Sequence, residues 1–304
     1  MIYTDKVVKI LNNYENTNAG VKSNLGKILM SGALGGTGKL LILPVDQGHE
    51  HGPDKSFFPN PSSYDPNYHY EIAVNAKLSA YAAPYGFLEA GAERFAGQIP
   101  TILKINSSNS LNDQKYQSIN GSVKEALKLG CCAVGFTIYP GSEYQYDMIE
   151  EFKEIATEAS EYGLPSVLWS YPRGGKISKE GETAIDIIGY AAHIAAQLGA
   201  HLIKVKPPSS YIENQDLRSN PNYSENNFKS LSDRIAHIKK CAFNSRRIVV
   251  FSGGNAKNTQ ELLEEIKQIN LGGGNGSIIG RNTFQRPKQE AMELLKNIIE
   301  IYKN

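Results

Sequence analysis

Two lysines, Lys204 and Lys206, end the run His201-Leu202-Ile203-Lys204-Val205-Lys206-Pro207. If the run is a strand, alternation puts Leu202, Lys204 and Lys206 on one face and Ile203 and Val205 on the other. The outer face of a barrel strand must be apolar to meet its helix, so the lysines are expected to point inward near the carboxyl end. The run Thr101-Ile102-Leu103-Lys104-Ile105-Asn106 repeats the logic and turns Lys104 and Asn106 inward. Two ammonium groups about 6 Å apart at an effective dielectric of about 20 repel by about 3 kcal/mol. That is enough to lower one lysine by roughly two pKa units. A neutral amine attacks a carbonyl carbon and forms a Schiff base. Parity does not choose between Lys204 and Lys206, and a strand ending earlier would leave both as solvated rim charges.

Other reactive side chains converge on the same ends. Asp46 follows Leu41, Leu43 and Val45 on the opposite parity and is expected to face inward, as a charge partner of the lysines or a proton carrier. His49 and His51 flank Glu50, but two histidines on a loop without a third ligand do not make a zinc pattern, so no metal site is expected. Trp169 and Tyr171 share a face of the run ending at Ser170, which places a phenol beside the inferred amine as proton donor and acceptor. With 17 tyrosines in the chain, most must be structural. Ser252-Gly253-Gly254-Asn255 and Gly280-Arg281-Asn282 end the last two strand-like runs, where glycine backbone and an arginine fork suit a phosphate. Arg173, with Gly174 and Gly175, is the next candidate for an anion, and Lys104 is grouped with the substrate-binding residues. Gly35-Gly36-Thr37-Gly38-Lys39 is not a P-loop, because Ala33 and Leu40 stand where glycine and a hydroxyl residue are required.

The elements that must position these groups alternate short apolar runs with amphipathic stretches, the pattern of a parallel sheet wrapped by helices. Eight runs are expected as strands: Leu40–Val45, a weaker one at Tyr85–Leu88, Thr101–Ile105, Ala133–Ile138, Ser166–Ser170, Leu202–Lys206, Arg247–Phe251 and Ser277–Ile279. Eight parallel strands in 304 residues favour one closed α/β barrel, with an extra N-terminal helix and long loops after strands one and six. Residues 1–304 are read as one domain, with 1–39 a helical extension. Ser122 with Glu125 marks a helix start and Gly130 its end. Met148, Phe152, Ile155 and Ala159 form one apolar helical stripe, and Met292, Leu295, Ile299 and Tyr302 another.

Composition excludes several classes of partner. Thirty-two Lys and Arg balance 31 Asp and Glu, for a net charge of +1 with no basic cluster, so neither nucleic acid nor an anionic membrane surface is an expected partner. No apolar stretch approaches the about 20 residues of a membrane span. The charged, amphipathic N-terminus is unlike a signal peptide, and a cytoplasmic location is expected. The three cysteines, Cys131, Cys132 and Cys241, give no disulfide framework and are expected to be reduced packing residues.

Six motifs in order carry a family resemblance: Pro44-Val45-Asp46-Gln47-Gly48-His49-Glu50-His51-Gly52-Pro53, Thr137-Ile138-Tyr139-Pro140-Gly141-Ser142, Trp169-Ser170-Tyr171-Pro172-Arg173-Gly174-Gly175, Ile203-Lys204, Ser252-Gly253-Gly254 and Gly280-Arg281-Asn282. Over about Leu40 to Arg286 the chain resembles the archaeal-type class I fructose-1,6-bisphosphate aldolases of the DeoC group. Gln47, where archaeal members often have His, and the longer segment from Asp54 to Gln98 resemble the bacterial subgroup. The resemblance implies a (β/α)8 barrel, no metal or other cofactor, a phosphosugar substrate and a homo-oligomer. It also implies Lys204 as the Schiff-base lysine, Tyr171 as acid/base, Asp46 and Trp169 in the site, and Ser252, Gly253, Gly280 and Arg281 at phosphate. The expected reaction is reversible cleavage of fructose 1,6-bisphosphate to dihydroxyacetone phosphate and glyceraldehyde 3-phosphate, in glycolysis and gluconeogenesis. The alternatives are a related Schiff-base aldolase or acyltransferase on another phosphorylated sugar, or a non-catalytic phosphosugar-binding barrel.

Overall fold

The computed structural model of the chain describes residues 2–221, 223, 225–253 and 258–304. Eight parallel strands close into a (β/α)8 barrel: β1 (Leu40–Pro44), β2 (Ala80–Ala83), β3 (Thr101–Lys104), β4 (Ala133–Ile138), β5 (Ser166–Ser170), β6 (Leu202–Val205), β7 (Ile248–Ser252) and β8 (Gly276–Ile278). Closure comes from β1 pairing with β8, with Leu40 opposite Gly276. Seven strands match the expected runs to within one residue at each end. The second does not: Tyr85–Glu89 is a short helix begun after Pro84, and the strand is Ala80-Tyr81-Ala82-Ala83. Alanine has a weak strand preference, so a strand built mostly of it carries little local signal.

Alternation sorts the strand residues into two cores. Leu40, Ile42, Ala80, Ala82, Ile102, Val167, Trp169, Leu202, Val250 and Ile278 fill the barrel interior as one buried cluster. Leu41, Leu43, Leu103, Phe136, Leu168, Ile203, Val205 and Phe251 belong to the cluster shared with the surrounding helices. Two N-terminal helices, α1 (Asp5–Leu11) and α2 (Ala19–Met30), join the inner cluster through Val7, Leu11, Val21 and Leu25. Between them Tyr14 donates to His201 O at 2.6 Å and accepts from Ile248 N at 3.1 Å. The amino end of the barrel is thereby stoppered, leaving the carboxyl end as the open face.

Long loops build that face. The chain after β1 is pinned to the chain after β8, because Asn60 Nδ2 donates to Phe284 O and Arg286 O, each at 2.8 Å. Phe57 and His69 pack on the Phe284 ring, with centroids 5.7 and 5.4 Å away. The loops after β5 and β6 form a second wall: Ser209 N donates to Thr183 O at 2.7 Å, and Ile185 N to Tyr211 O at 2.9 Å. The Glu213 carboxylate accepts from the Ser178 N–H and hydroxyl at 2.8 Å each. Gly130 takes the left-handed cap conformation (φ +67°) and Ser122 caps Glu125 N, as the spacing predicts. Among the described residues no helix is long and apolar enough to cross a membrane.

One glycine inside the barrel creates room for the site. Gly135 lies opposite Lys104 in the β3–β4 register, and a Cβ there would come within 2.5 Å of the Trp169 ring. Gly135→Ala is therefore expected to push Trp169 out of place and cost about 1–3 kcal/mol of stability, read by urea unfolding. An unchanged midpoint would show that the ring has slack.

Candidate active site

A cavity of about 570 Å³ opens at the carboxyl ends of the strands, lined by Asp46, Trp169, Tyr171, Arg173, Lys204 and Arg281 among others. Lys204 enters it from β6, opposite Trp169 in the β5–β6 register. Its side chain is buried, and its amine lies 5.2 Å from the Trp169 ring centroid and 5.5 Å from that of Tyr171. Among the described residues no carboxylate forms an ion pair with Lys204. Burial lowers its pKa to about 8; Asp46 and Glu50 oppose the change, and Lys104 and Arg281 add to it. The sequence argument gave the repulsion between amines as the cause, but here it is secondary to desolvation. Displacement from 10.5 to about 8 corresponds to about 3 kcal/mol against the ammonium.

The three inward lysines have different surroundings. Lys206 also lines the cavity, but its amine pairs with Glu182 Oε2 at 3.3 Å. Lys104 faces inward behind Trp169, 5.8 Å from the ring centroid, and donates to Asn106 Oδ1 at 2.8 Å and Gln117 Oε1 at 3.3 Å. It does not line the cavity, so its amine serves the protein rather than contacting a bound molecule directly. Lys204 is thus the cavity amine without a carboxylate partner among the described residues, a distinction that strand parity could not make.

Tyr171 lies half-buried beside Lys204, and its phenol is raised well above 10, first by desolvation and then by Asp46 and Glu50, with Ser252 and Arg173 acting in the other direction. It rests protonated. Asp46 lines the cavity, at the start of the one-turn helix Gln47–His51. Glu50 and His51 line it too, with His51 Nε2 3.6 Å from Glu50 Oε2, whereas His49 is exposed. Among the described residues no group of three or more His, Cys, Asp or Glu side chains is placed to hold a metal ion. The sequence reading considered Glu50 only as a metal ligand and missed it as a second acidic group facing the amine. Its signal was its spacing of four residues from Asp46, which requires a helical turn there to be legible.

Ser252, Gly253, Gly280 and Arg281 meet on one side of the cavity. Asn282 Nδ2 donates to Gly253 O at 3.2 Å, tying the two loops together. Gly280 must be glycine, since a Cβ would lie 2.7 Å from Pro44 O. Gly254 lies outside the described residues. On another wall Arg173 and Lys206 lie close enough for the arginine to help lower the lysine's pKa. The cavity is therefore lined by the cations Arg173, Lys206 and Arg281, by one amine without a carboxylate partner among the described residues, and by a phenol and carboxylates.

Comparisons with known proteins show the family. The family model described as DeoC/LacD family aldolase matches residues 40–286. The chain belongs to this family. A probable fructose-bisphosphate aldolase class 1 of Chlamydia muridarum is 34% identical, over 94% of this chain and 85% of the relative. The fructose-bisphosphate aldolase class 1 of Thermoproteus tenax is 36% identical, over 87% of this chain and 89% of its own. An archaeal fructose-1,6-bisphosphate aldolase, solved with its catalytic Lys covalently bound to the carbinolamine intermediate of the substrate, superposes with a TM-score of 0.75. It is 30% identical and covers 97% of this chain and all of its own.

Asp46 and Glu50 both raise the Lys204 pKa, because a nearby negative charge favours the ammonium. Removing one charge with Asp46→Asn should move that pKa below about 8. The pH at which a carbonyl adduct on Lys204 is half-maximally trapped by cyanoborohydride should then fall. A shift to higher pH would contradict this arrangement of charges.

Proposed function

We propose that the protein is a class I fructose-bisphosphate aldolase. The observation that carries this is the buried Lys204 amine, without a carboxylate partner among the described residues, close to the Trp169 and Tyr171 rings in a cavity also lined by Arg173 and Arg281. The Lys204 amine attacks C2 of the open-chain ketose, the carbinolamine loses water, and a protonated iminium forms. The electrons of the C3–C4 bond then pass into the iminium to give an enamine, while the C4 hydroxyl loses its proton and becomes the aldehyde of glyceraldehyde 3-phosphate. Tyr171 carries that proton. Burial keeps the phenol protonated in the free enzyme; its proton leaves with the carbinolamine hydroxyl as water, passing through Asp46, and the iminium's positive charge offsets the cost of the phenolate that then accepts the C4 proton. The proton returns to C3 of the enamine, and water releases dihydroxyacetone phosphate. Asp46 relays protons during carbinolamine formation and dehydration.

In this reading Ser252, Gly253, Gly254, Gly280 and Arg281 hold the phosphate on C1, which fixes C2 beside Lys204. Arg173 and Lys206 take the phosphate on C6, so the two anions pull the ketose taut across the amine. Residues 1–304 act as one barrel unit, residues 1–39 being its helical extension. A role in glycolysis and gluconeogenesis, a cytoplasmic location and a homo-oligomeric assembly complete the reading.

Borohydride added with dihydroxyacetone phosphate should attach the triose irreversibly to Lys204, as mapped by peptide mass spectrometry. A label on Lys206 or Lys104 would overturn the assignment. Tyr171→Phe should still be labelled but lose about 10²–10⁴-fold in turnover. Near-normal turnover would move the proton transfer to another group.

A further inference from the structure

Arg173 stands over the ring of Tyr139, its guanidinium carbon 4.8 Å from the ring centroid, and its backbone N–H donates to Pro140 O at 3.0 Å. Tyr139 follows β4 directly and is 1% exposed, so it cannot itself touch a molecule in the cavity. Its hydroxyl is held from two sides: Gln117 Nε2 donates to it, and Ser108 Oγ lies 3.2 Å away. Gln117 is held in turn, its Oε1 accepting from Lys104 Nζ, which is also bonded to Asn106. Asn106 closes the network onto β4, taking the Thr137 N–H at 2.7 Å and donating to Thr137 O at 2.8 Å. A continuous buried chain therefore runs from Lys104, behind Trp169, through Gln117 to the ring beneath Arg173. A phenol fixed at its hydroxyl presents one ring face. A guanidinium over that face is held by the ring's quadrupole and by planar stacking.

We propose that Tyr139 is a positioning residue that aims Arg173 at the substrate phosphate remote from the Schiff-base carbon, with Gln117 and Lys104 fixing the ring that Arg173 rests on. The inference depends on the assignment of Arg173 to the C6 phosphate. It gives the inward amine of Lys104 a use that contact with substrate does not supply. It also makes part of the enzyme's preference for a bisphosphate a property of buried side chains behind the cavity wall.

The test compares kcat/KM for fructose 1,6-bisphosphate and fructose 1-phosphate, which differ only in the C6 phosphate. Tyr139→Leu should lower the bisphosphate value about tenfold, chiefly through KM, and leave fructose 1-phosphate within about twofold. Gln117→Met keeps the ring but frees its hydroxyl, and should give a smaller selective loss of about threefold. If Tyr139→Leu does not fold, Gln117→Met decides. Arg173→Ala sets the reference, and adding Tyr139→Leu to it should produce no further selective loss. Equal losses on both substrates from the Tyr139 and Gln117 variants, beside a selective loss from Arg173→Ala, would overturn the positioning role alone. A non-selective loss from Arg173→Ala would overturn the C6 assignment and the inference with it.

Discussion

Dry surroundings at Lys204 are the constraint on which the site depends. An ordinary lysine is protonated at neutral pH and is no nucleophile. Here the closed barrel removes water from the amine, and no carboxylate pairs with it among the described residues, so the ammonium loses its advantage. The architecture follows from keeping that position dry and open on one side only. Two helices stopper the amino end through Tyr14 and its apolar neighbours. Trp169, admitted by the missing side chain of Gly135, closes the interior beneath the amine.

Neighbours then assign different roles to chemically identical side chains. Lys204, Lys206 and Lys104 all point inward, and burial lowers all three. Lys206 is paired with Glu182 at the cavity wall, while Lys104 is enclosed by carbonyl acceptors and holds a polar network together. The carboxylates Asp46 and Glu50 act on the amine from across the cavity rather than by contact. They moderate the loss of the ammonium without pairing with the amine.

Strand alternation made most of this legible in the sequence, because an apolar outer face forces every second residue inward. Lys104, Lys204, Trp169 and Tyr171 could all be placed by counting. The alanine strand β2 could not, since its residues carry helix-like local preferences and become a strand only by pairing with Leu43 and Leu103 of its neighbours. The cause of the lowered amine was misjudged for a similar reason: charge repulsion can be computed from residue types, whereas desolvation depends on the closed barrel around them. Glu182 and Gln117 lie on loops whose paths are fixed by tertiary contacts, such as Ser209 on Thr183, and no local pattern marks them, while the spacing of Glu50 from Asp46 is legible only once Gln47–His51 is known to be helical.

The state of the resting amine is the most direct test of the account, because every step of the proposed reaction depends on it. Titration of isotope-labelled lysine side chains by NMR, with the Lys204→Met variant to assign the resonance, should show Lys204 losing its proton near pH 8 in the free enzyme. A Lys204 midpoint at the ordinary value of about 10.4 would mean that water or an anion reaches the amine, and the account of a dry, unpaired nucleophile would fail.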